Sequence, residues 1–328
     1  MAQDWRLFHG GAAEPHDVEW PTAPPWRRFG AGARNRDGAQ PSYVIAPEDR
    51  DVVNTALHLH RPLLVTGRPG TGKSTLAHAV ARELRLGPVL HWPVNSRSTL
   101  ADGLYRYDAV GRLRDASLHG RDASLHGREG DGAAPASEPD IGDYLRLGPL
   151  GSALLPGPKP RVLLIDELDK GDVDLPNDLL TVFEDGAFEI PELARLKQPD
   201  VEVRATGTEE KVRISGGQVG CDVFPVVVIT SNGERDFPPA FLRRCVRLDL
   251  RQPDEQQLTE IVRMHLGPEV GAQAQELIAA FLDLRDSQER ELATDQLLNA
   301  VHLRSSGVRM DFDTLRETVL RSLDEADF

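Results

Sequence analysis

Cysteine is nearly absent: the 328-residue chain has two, Cys221 and Cys245. They are too few, and too far apart in the chain, for a zinc site or a disulfide framework. Both are expected to be reduced structural thiols. Aromatic residues are also sparse, at 5% of the chain, which leaves little material for stacking nucleic-acid bases. Basic charge is in deficit, with 38 Lys and Arg against 52 Asp and Glu and a net charge of −14. Binding a nucleic-acid backbone needs a basic face, so direct nucleic-acid binding is not expected, and only a local basic pore is left open. Nowhere do about 18 apolar residues run together, the length a membrane span requires. The first ten residues lack the basic start and apolar stretch of a secretion signal. The expectation is a cytoplasmic protein with no membrane partner.

What is present is the composition of a folded protein. Hydrophobic residues at 40% and charged residues at 27% are ordinary for packed domains. The length allows an α/β core with a smaller second domain. Residues 1–41 carry Pro21, Pro24, Pro25 and the glycines from Gly30 to Gly38, and read as an extended N-terminal arm. From 42 to 251, short apolar runs alternate with amphipathic stretches. Helices are expected at Pro47–Leu59 and Ser74–Leu84, and strands at Pro62–Thr66, Val89–Val94, Val162–Ile165 and Pro225–Thr230. This alternation predicts a mostly parallel sheet between helices.

Two insertions interrupt that plan. Within about 111–140, the heptapeptide DASLHGR at Asp115–Arg121 repeats directly at Asp122–Arg128. In Gly- and Ala-rich surroundings it is expected to be a slippage duplication in a loop. Within about 201–214, Val-Glu-Val-Arg and Lys-Val-Arg-Ile flank Thr206-Gly207-Thr208, which predicts a β-hairpin. From 252 to 328 the strand signals stop. Helical spacing at Pro253–Leu266, Ala272–Leu284, Thr294–Leu303 and Asp311–Leu323 predicts a small all-helical C-terminal domain.

Chemistry concentrates in a few segments. Gly67, Arg68, Pro69, Gly70, Thr71, Gly72, Lys73 and Ser74, with Thr75 after them, fit the phosphate-binding pattern G-x-x-x-x-G-K-[ST] between an expected strand and an expected helix. Glycines let consecutive backbone N–H groups turn toward a phosphate at the positive end of the helix. Lys73 would neutralise phosphate charge and the Ser74 hydroxyl would bind Mg²⁺. Four apolar residues, Val162–Ile165, then run into Asp166 and Glu167. That places Asp166 at the carboxyl end of a buried strand, where open α/β sheets bind ligands. Asp166 is the candidate Mg²⁺ ligand and Glu167 the candidate base for an attacking water. Adjacent carboxylates disfavour a small-molecule kinase, which needs no water-activating Glu. Asn232 closes Ile229-Thr230-Ser231-Asn232, the polar end of a β-branched strand, and could hydrogen-bond the attacking water or the γ-phosphate, or simply cap a turn. Arg243 and Arg244 are either surface charges or candidates to reach a neighbouring subunit's γ-phosphate.

Taken together, Pro62–Ser74, Gly148–Leu150, Arg161–Lys170, Phe188–Leu193, Thr230–Arg235 and Ala240–Cys245 resemble the AAA+ ATPases, and within them the MoxR group. The resemblance implies a P-loop NTPase core with a helical C-terminal lid, using ATP and Mg²⁺. By position it makes Asn232 the sensor-1 residue, Arg244 the better arginine-finger match with Arg243 second, and Arg290 a weak counterpart of the lid arginine. It further implies a homo-oligomeric ring, a hexamer by analogy. Such rings remodel protein complexes, often beside a von Willebrand A-domain partner. A reading from another class stays open: a nucleotide-dependent motor or switch in a nucleic-acid restriction or defence system, with a partner supplying the DNA contact.

Overall fold

The computed structural model describes residues 7, 17–18, 20–27, 43–125, 140–197, 200–287, 292–306, 314–315 and 319. The chain divides into two compact units. One comprises Glu48–Thr66 and Ala77–Leu248; the other comprises Met1–Pro47, Gly67–Leu76 and Asp249–Phe328.

The first unit is built on strands. They are β1 (Leu63–Thr66), β2 (Leu90–Pro93), β3 (Tyr105–Tyr107), β4 (Leu145–Leu147), β5 (Val162–Asp166), β6 (Ala187–Glu189), β7 (Asp200–Arg204), β8 (Lys211–Ser215), β9 (Gln218–Gly220), β10 (Val226–Thr230) and β11 (Val246–Asp249). Five form one sheet in the order β11-β1-β10-β5-β2, with β1, β10, β5 and β2 paired in parallel. The unbroken apolar runs of β5 and β10 suit a sheet covered on both faces: Val162, Leu163, Leu164 and Ile165 are all 0–1% exposed. The register sets Ile229 beside Ile165 and Pro93 beside Asp166. The next residues out, Thr230 and Asp166, therefore stand at the same carboxyl edge.

Helix α1 (Pro47–Leu59) precedes β1, while α2 (Lys73–Glu83), α3 (Ala109–Leu125) and α4 (Leu175–Asp185) lie between successive strands. Glu48 and Asp49 lie in the first turn of α1, where carboxylates are favoured by the helix dipole. The other six strands form a second sheet, β3-β4-β7-β8-β9-β6. The hairpin expected near 201–214 is its centre: β7 pairs antiparallel with β8, Val203 opposite Val212. One apolar cluster joins both sheets, with Leu147, Val203 and Ile214 from one and Leu64, Leu163 and Ile229 from the other.

The insertion at 111–140 is not a loop throughout. Its first part is α3, which holds the whole first DASLHGR copy and the start of the second; residues 126–139 lie outside the described residues. A seven-residue repeat equals two helical turns, so duplication preserves helical phase. The helix is tied down at its start by Asp108, whose Oδ1 accepts from the Gly111 N–H at 2.8 Å. Asp115 Oδ2 accepts from the Tyr144 hydroxyl at 2.8 Å, and Arg112 donates to the Tyr107 hydroxyl at 3.1 Å. These side-chain ties carry no periodic signal in the sequence.

The second unit contains helices α5 (Glu255–Leu266), α6 (Gln275–Ser287) and α7 (Thr294–Ser305). Asp254 and Gln257 form a capping box on α5. Leu258, Val262, Ile278, Phe281, Leu297 and Val301, all at most 2% exposed, make its core. The helix expected at 311–323 lies outside the described residues apart from 314–315 and 319. Of the N-terminal arm, Pro25–Arg27 forms a 3₁₀ turn. There Trp26 Nε1 donates to Asn299 Oδ1 at 3.0 Å, and its ring meets those of His265 and His302 edge-on.

Among the described residues no helix is long and apolar enough to cross a membrane.

Candidate active site

The glycine loop leaves the carboxyl end of β1 directly after Thr66. Gly67, Gly70 and Gly72 have φ of 141°, 74° and 88°, a region L-residues rarely adopt. Space excludes side chains as well. A Cβ on Gly67 would lie 2.6 Å from the Leu250 carbonyl oxygen, and one on Gly70 would lie 2.5 Å from the Ala293 Cβ. Thr71 Oγ1 donates to the Arg68 carbonyl at 2.9 Å. Lys73 is 8% exposed, and its ammonium donates to the carbonyls of Gly67 at 2.7 Å and Arg68 at 2.8 Å. The loop is thus wound around its own lysine at the N-terminus of α2, the positive end of the helix dipole. A loop with three glycines and one buried cation there fits a phosphate group.

The acidic cluster lies at the ends of β5 and β10. Thr230, 1% exposed, donates its hydroxyl to Asp166 Oδ1 at 2.6 Å and accepts the Glu167 N–H at 2.9 Å. His91 Nε2 on β2 lies 3.1 Å from the other carboxylate oxygen of Asp166. One hydroxyl therefore fixes both the aspartate and the backbone of the following glutamate. Glu167 has φ 60° and ψ 49°, a left-handed conformation costing a non-glycine residue roughly 1–2 kcal/mol. The turn throws its carboxylate out of the strand, where it stays half-exposed and pairs with Lys170 Nζ at 2.9 Å. The hydrogen bond that Lys170 donates to the Glu167 carboxylate raises the Lys170 pKa above its ordinary value.

Asp169, 3% exposed, ties this turn to the exit of β10. Its Oδ2 accepts from the backbone N–H groups of Asn232 at 3.0 Å and Glu234 at 3.1 Å. Its Oδ1 is buried with no partner among the described residues. Arg235 reinforces the link by donating to the Gly171 carbonyl at 3.0 Å.

Residues 62–245 match the family described as the AAA domain (dynein-related subfamily), more than half of the chain. The chain belongs to that AAA domain family. Its fold is accordingly the α/β P-loop NTPase fold, with a parallel sheet flanked by helices and further helices toward the C-terminus. The crystal structure of a presumed ATPase from Cytophaga hutchinsonii ATCC 33406 aligns at 12% identity and a TM-score of 0.37, over 66% of this chain and 48% of that one. This chain therefore spans about half the length of that protein. A search of curated proteins finds no match.

In this AAA domain the two candidate finger residues differ. Arg244 is engaged within its own chain, its Nε donating to Glu184 Oε1 of α4 and its Nη1 to the Ala240 carbonyl at 3.2 Å. Arg243 is exposed, and no ion pair holds its guanidinium among the described residues. Arg290 lies outside the described residues. No group of three or more His, Cys, Asp or Glu side chains gathers as a metal cage among the described residues. Thr230, Asp169 and His91 carried no assigned role in the sequence. The signal for Thr230 was a polar residue closing a β-branched run, and its partner becomes visible only once β10 lies beside β5.

Proposed function

We propose that this AAA domain protein is a Mg²⁺-dependent ATPase. The observation that carries the reading is the single buried hydroxyl of Thr230 holding both Asp166 and the Glu167 backbone. In this reading Gly67–Ser74, with Thr75, hold the phosphates of ATP, and Lys73 exchanges its carbonyl partners for phosphate oxygens. Ser74 and Asp166 would hold the Mg²⁺. The bound ion would supply charge neutralisation on the β- and γ-phosphates. Glu167 takes a proton from water, the oxygen attacks the γ-phosphorus, and the bond to the leaving ADP oxygen breaks. Asn232 orients that water, its main chain pinned by Asp169. Either Arg243 or Arg244 completes the site of an adjacent subunit in a homo-oligomeric, MoxR-like ring, a hexamer by analogy.

The same reading divides the chain into an arm at 1–41, a nucleotide-binding core at 42–251 and a helical lid at 252–328. It assigns the ring to cytoplasmic, chaperone-like remodelling of a protein complex, with a von Willebrand A-domain protein as the candidate partner. Glu167→Gln tests the chemistry, because it removes the base and leaves Asp166 in place. The variant is expected to bind fluorescent ATP normally and to lose turnover. Near-normal turnover would remove Glu167 from the mechanism.

A further inference from the structure

The second sheet carries a row of cations across its exposed face. The strand register places Arg106 of β3 opposite Arg146 of β4, Arg146 opposite Arg204 of β7, and Arg204 opposite Lys211 of β8. All four side chains are exposed, while the residues flanking them in each strand are buried or half-buried. The ends of the row are partly neutralised, Arg106 by Asp102 at 3.4 Å and Lys211 by Asp143 at 2.7 Å. Its middle is not: among the described residues neither Arg146 nor Arg204 has a carboxylate partner. Like charges directly opposite each other destabilise a sheet, and this chain has acidic residues in excess with which to avoid them. One end of the row opens into a cleft of 590 Å³, where Arg97 joins Arg106 and Arg146, with Asn95 and Ser98 alongside and Asp102 as the lone carboxylate of the lining.

We propose that this face docks an acidic, extended segment of a partner protein. Neighbouring strands lie about 4.8 Å apart, so four strands make a row roughly 14 Å long. An extended chain repeats its same-side residues about every 6.6 Å, so carboxylates at three alternate positions match the row end to end. Arginine is suited to that task, since its planar fork takes a carboxylate through two hydrogen bonds. The surface is a poor match for nucleic acid. Trp92 of the cleft is 4% exposed and packs against Gly103, where even a Cβ would lie 2.5 Å from the indole ring, so it offers no face for a base to stack on. The docking does not rest on ATP hydrolysis, and the two can fail separately.

The experiment uses the full chain and a fluorescein-labelled peptide of alternating Glu and Thr, read by fluorescence anisotropy. Alternating Lys and Thr, and oligothymidine of equal charge, serve as competing probes. The acidic peptide is expected to bind, to weaken as salt rises through the screening range, and to lose about tenfold or more in affinity in the double variant Arg146→Glu/Arg204→Glu. Arg146→Gln/Arg204→Gln, milder for folding, is expected to weaken binding in the same direction, with peptide-free ATP turnover unchanged in both. No binding of the acidic peptide to the unaltered chain would overturn the proposal. So would affinity indifferent to the Gln variant, and equal or tighter binding of oligothymidine would assign the face to nucleic acid instead.

Discussion

Thr230→Val is the sharpest test of how the carboxylates are organised. Valine keeps the β-branched shape of threonine, so β10 and its packing are preserved and only the hydroxyl is lost. That hydroxyl makes two bonds, one to the Asp166 carboxylate at 2.6 Å and one from the Glu167 N–H at 2.9 Å. A hydrogen bond to an ionised group contributes about 1.5–3 kcal/mol, and a stranded buried donor costs about 1–3 kcal/mol. At 1% exposure, no water can take the hydroxyl's place without displacing the strand. The local loss is therefore about 3–5 kcal/mol, on a turn that already carries the left-handed Glu167. It should appear mostly as disorder in Asp166 and Glu167, and only partly as global destabilisation.

Removing the partner of a metal-binding carboxylate commonly weakens metal affinity by about 10–100-fold. A Mg²⁺ titration of ATP turnover should then show half-saturation raised by that factor in Thr230→Val, with lower maximal turnover. Thr230→Ser keeps the hydroxyl and should stay within a few-fold of the parent. Should Val keep the parental Mg²⁺ dependence while only its melting temperature falls, Thr230 is structural. A Ser variant as impaired as Val would likewise sink the idea, because the hydroxyl could then not be the acting group.

Other expectations follow from the same geometry. Asp169→Leu strands the N–H groups of Asn232 and Glu234, each at about 1–3 kcal/mol, so melting temperature and turnover should both fall well below those of Asp169→Asn; equal behaviour of the two would refute the tie. Arg244→Ala gives up a half-exposed ion pair with Glu184, worth at most about 1 kcal/mol, so its melting temperature should barely move. If it or Arg243→Ala removes the finger, turnover drops by about 10³-fold or more and partly recovers on mixing with Lys73→Ala subunits; full activity in both variants would leave neither as a finger. Burial among the helices holds the His265 pKa below its ordinary 6.5, so the unfolded chain takes up the proton first as pH falls. Stability should therefore be complete above about 6.5 and decline below it until the folded ring protonates. Melting curves of His265→Gln should flatten that decline, and an unchanged slope would acquit this residue.

What was legible in the sequence alone was whatever is encoded locally. Glycine spacing before a lysine, an apolar run into two carboxylates and the alternation around Thr206–Thr208 each report on a few consecutive residues. The loop from Gly67, the strand ending at Asp166 and the β7–β8 hairpin could therefore be read directly. The three-residue strands β3, β4, β6 and β9 could not, because one and a half periods of alternation make no pattern. Nor could α3, which is held by Asp115–Tyr144 and Arg112–Tyr107 contacts reaching to other elements or across the turn before it. Pairing across distance was decided only by tertiary structure. Thr230 serves Asp166, 64 residues away, and Asp169 serves Asn232, 63 residues away, because a parallel sheet sets strand ends side by side in an order the chain does not follow. The cations at 106, 146, 204 and 211 look like scattered surface charges in sequence. They become one row only when strand register, set by burying Leu147, Val203 and Ile214 on the opposite face, aligns them.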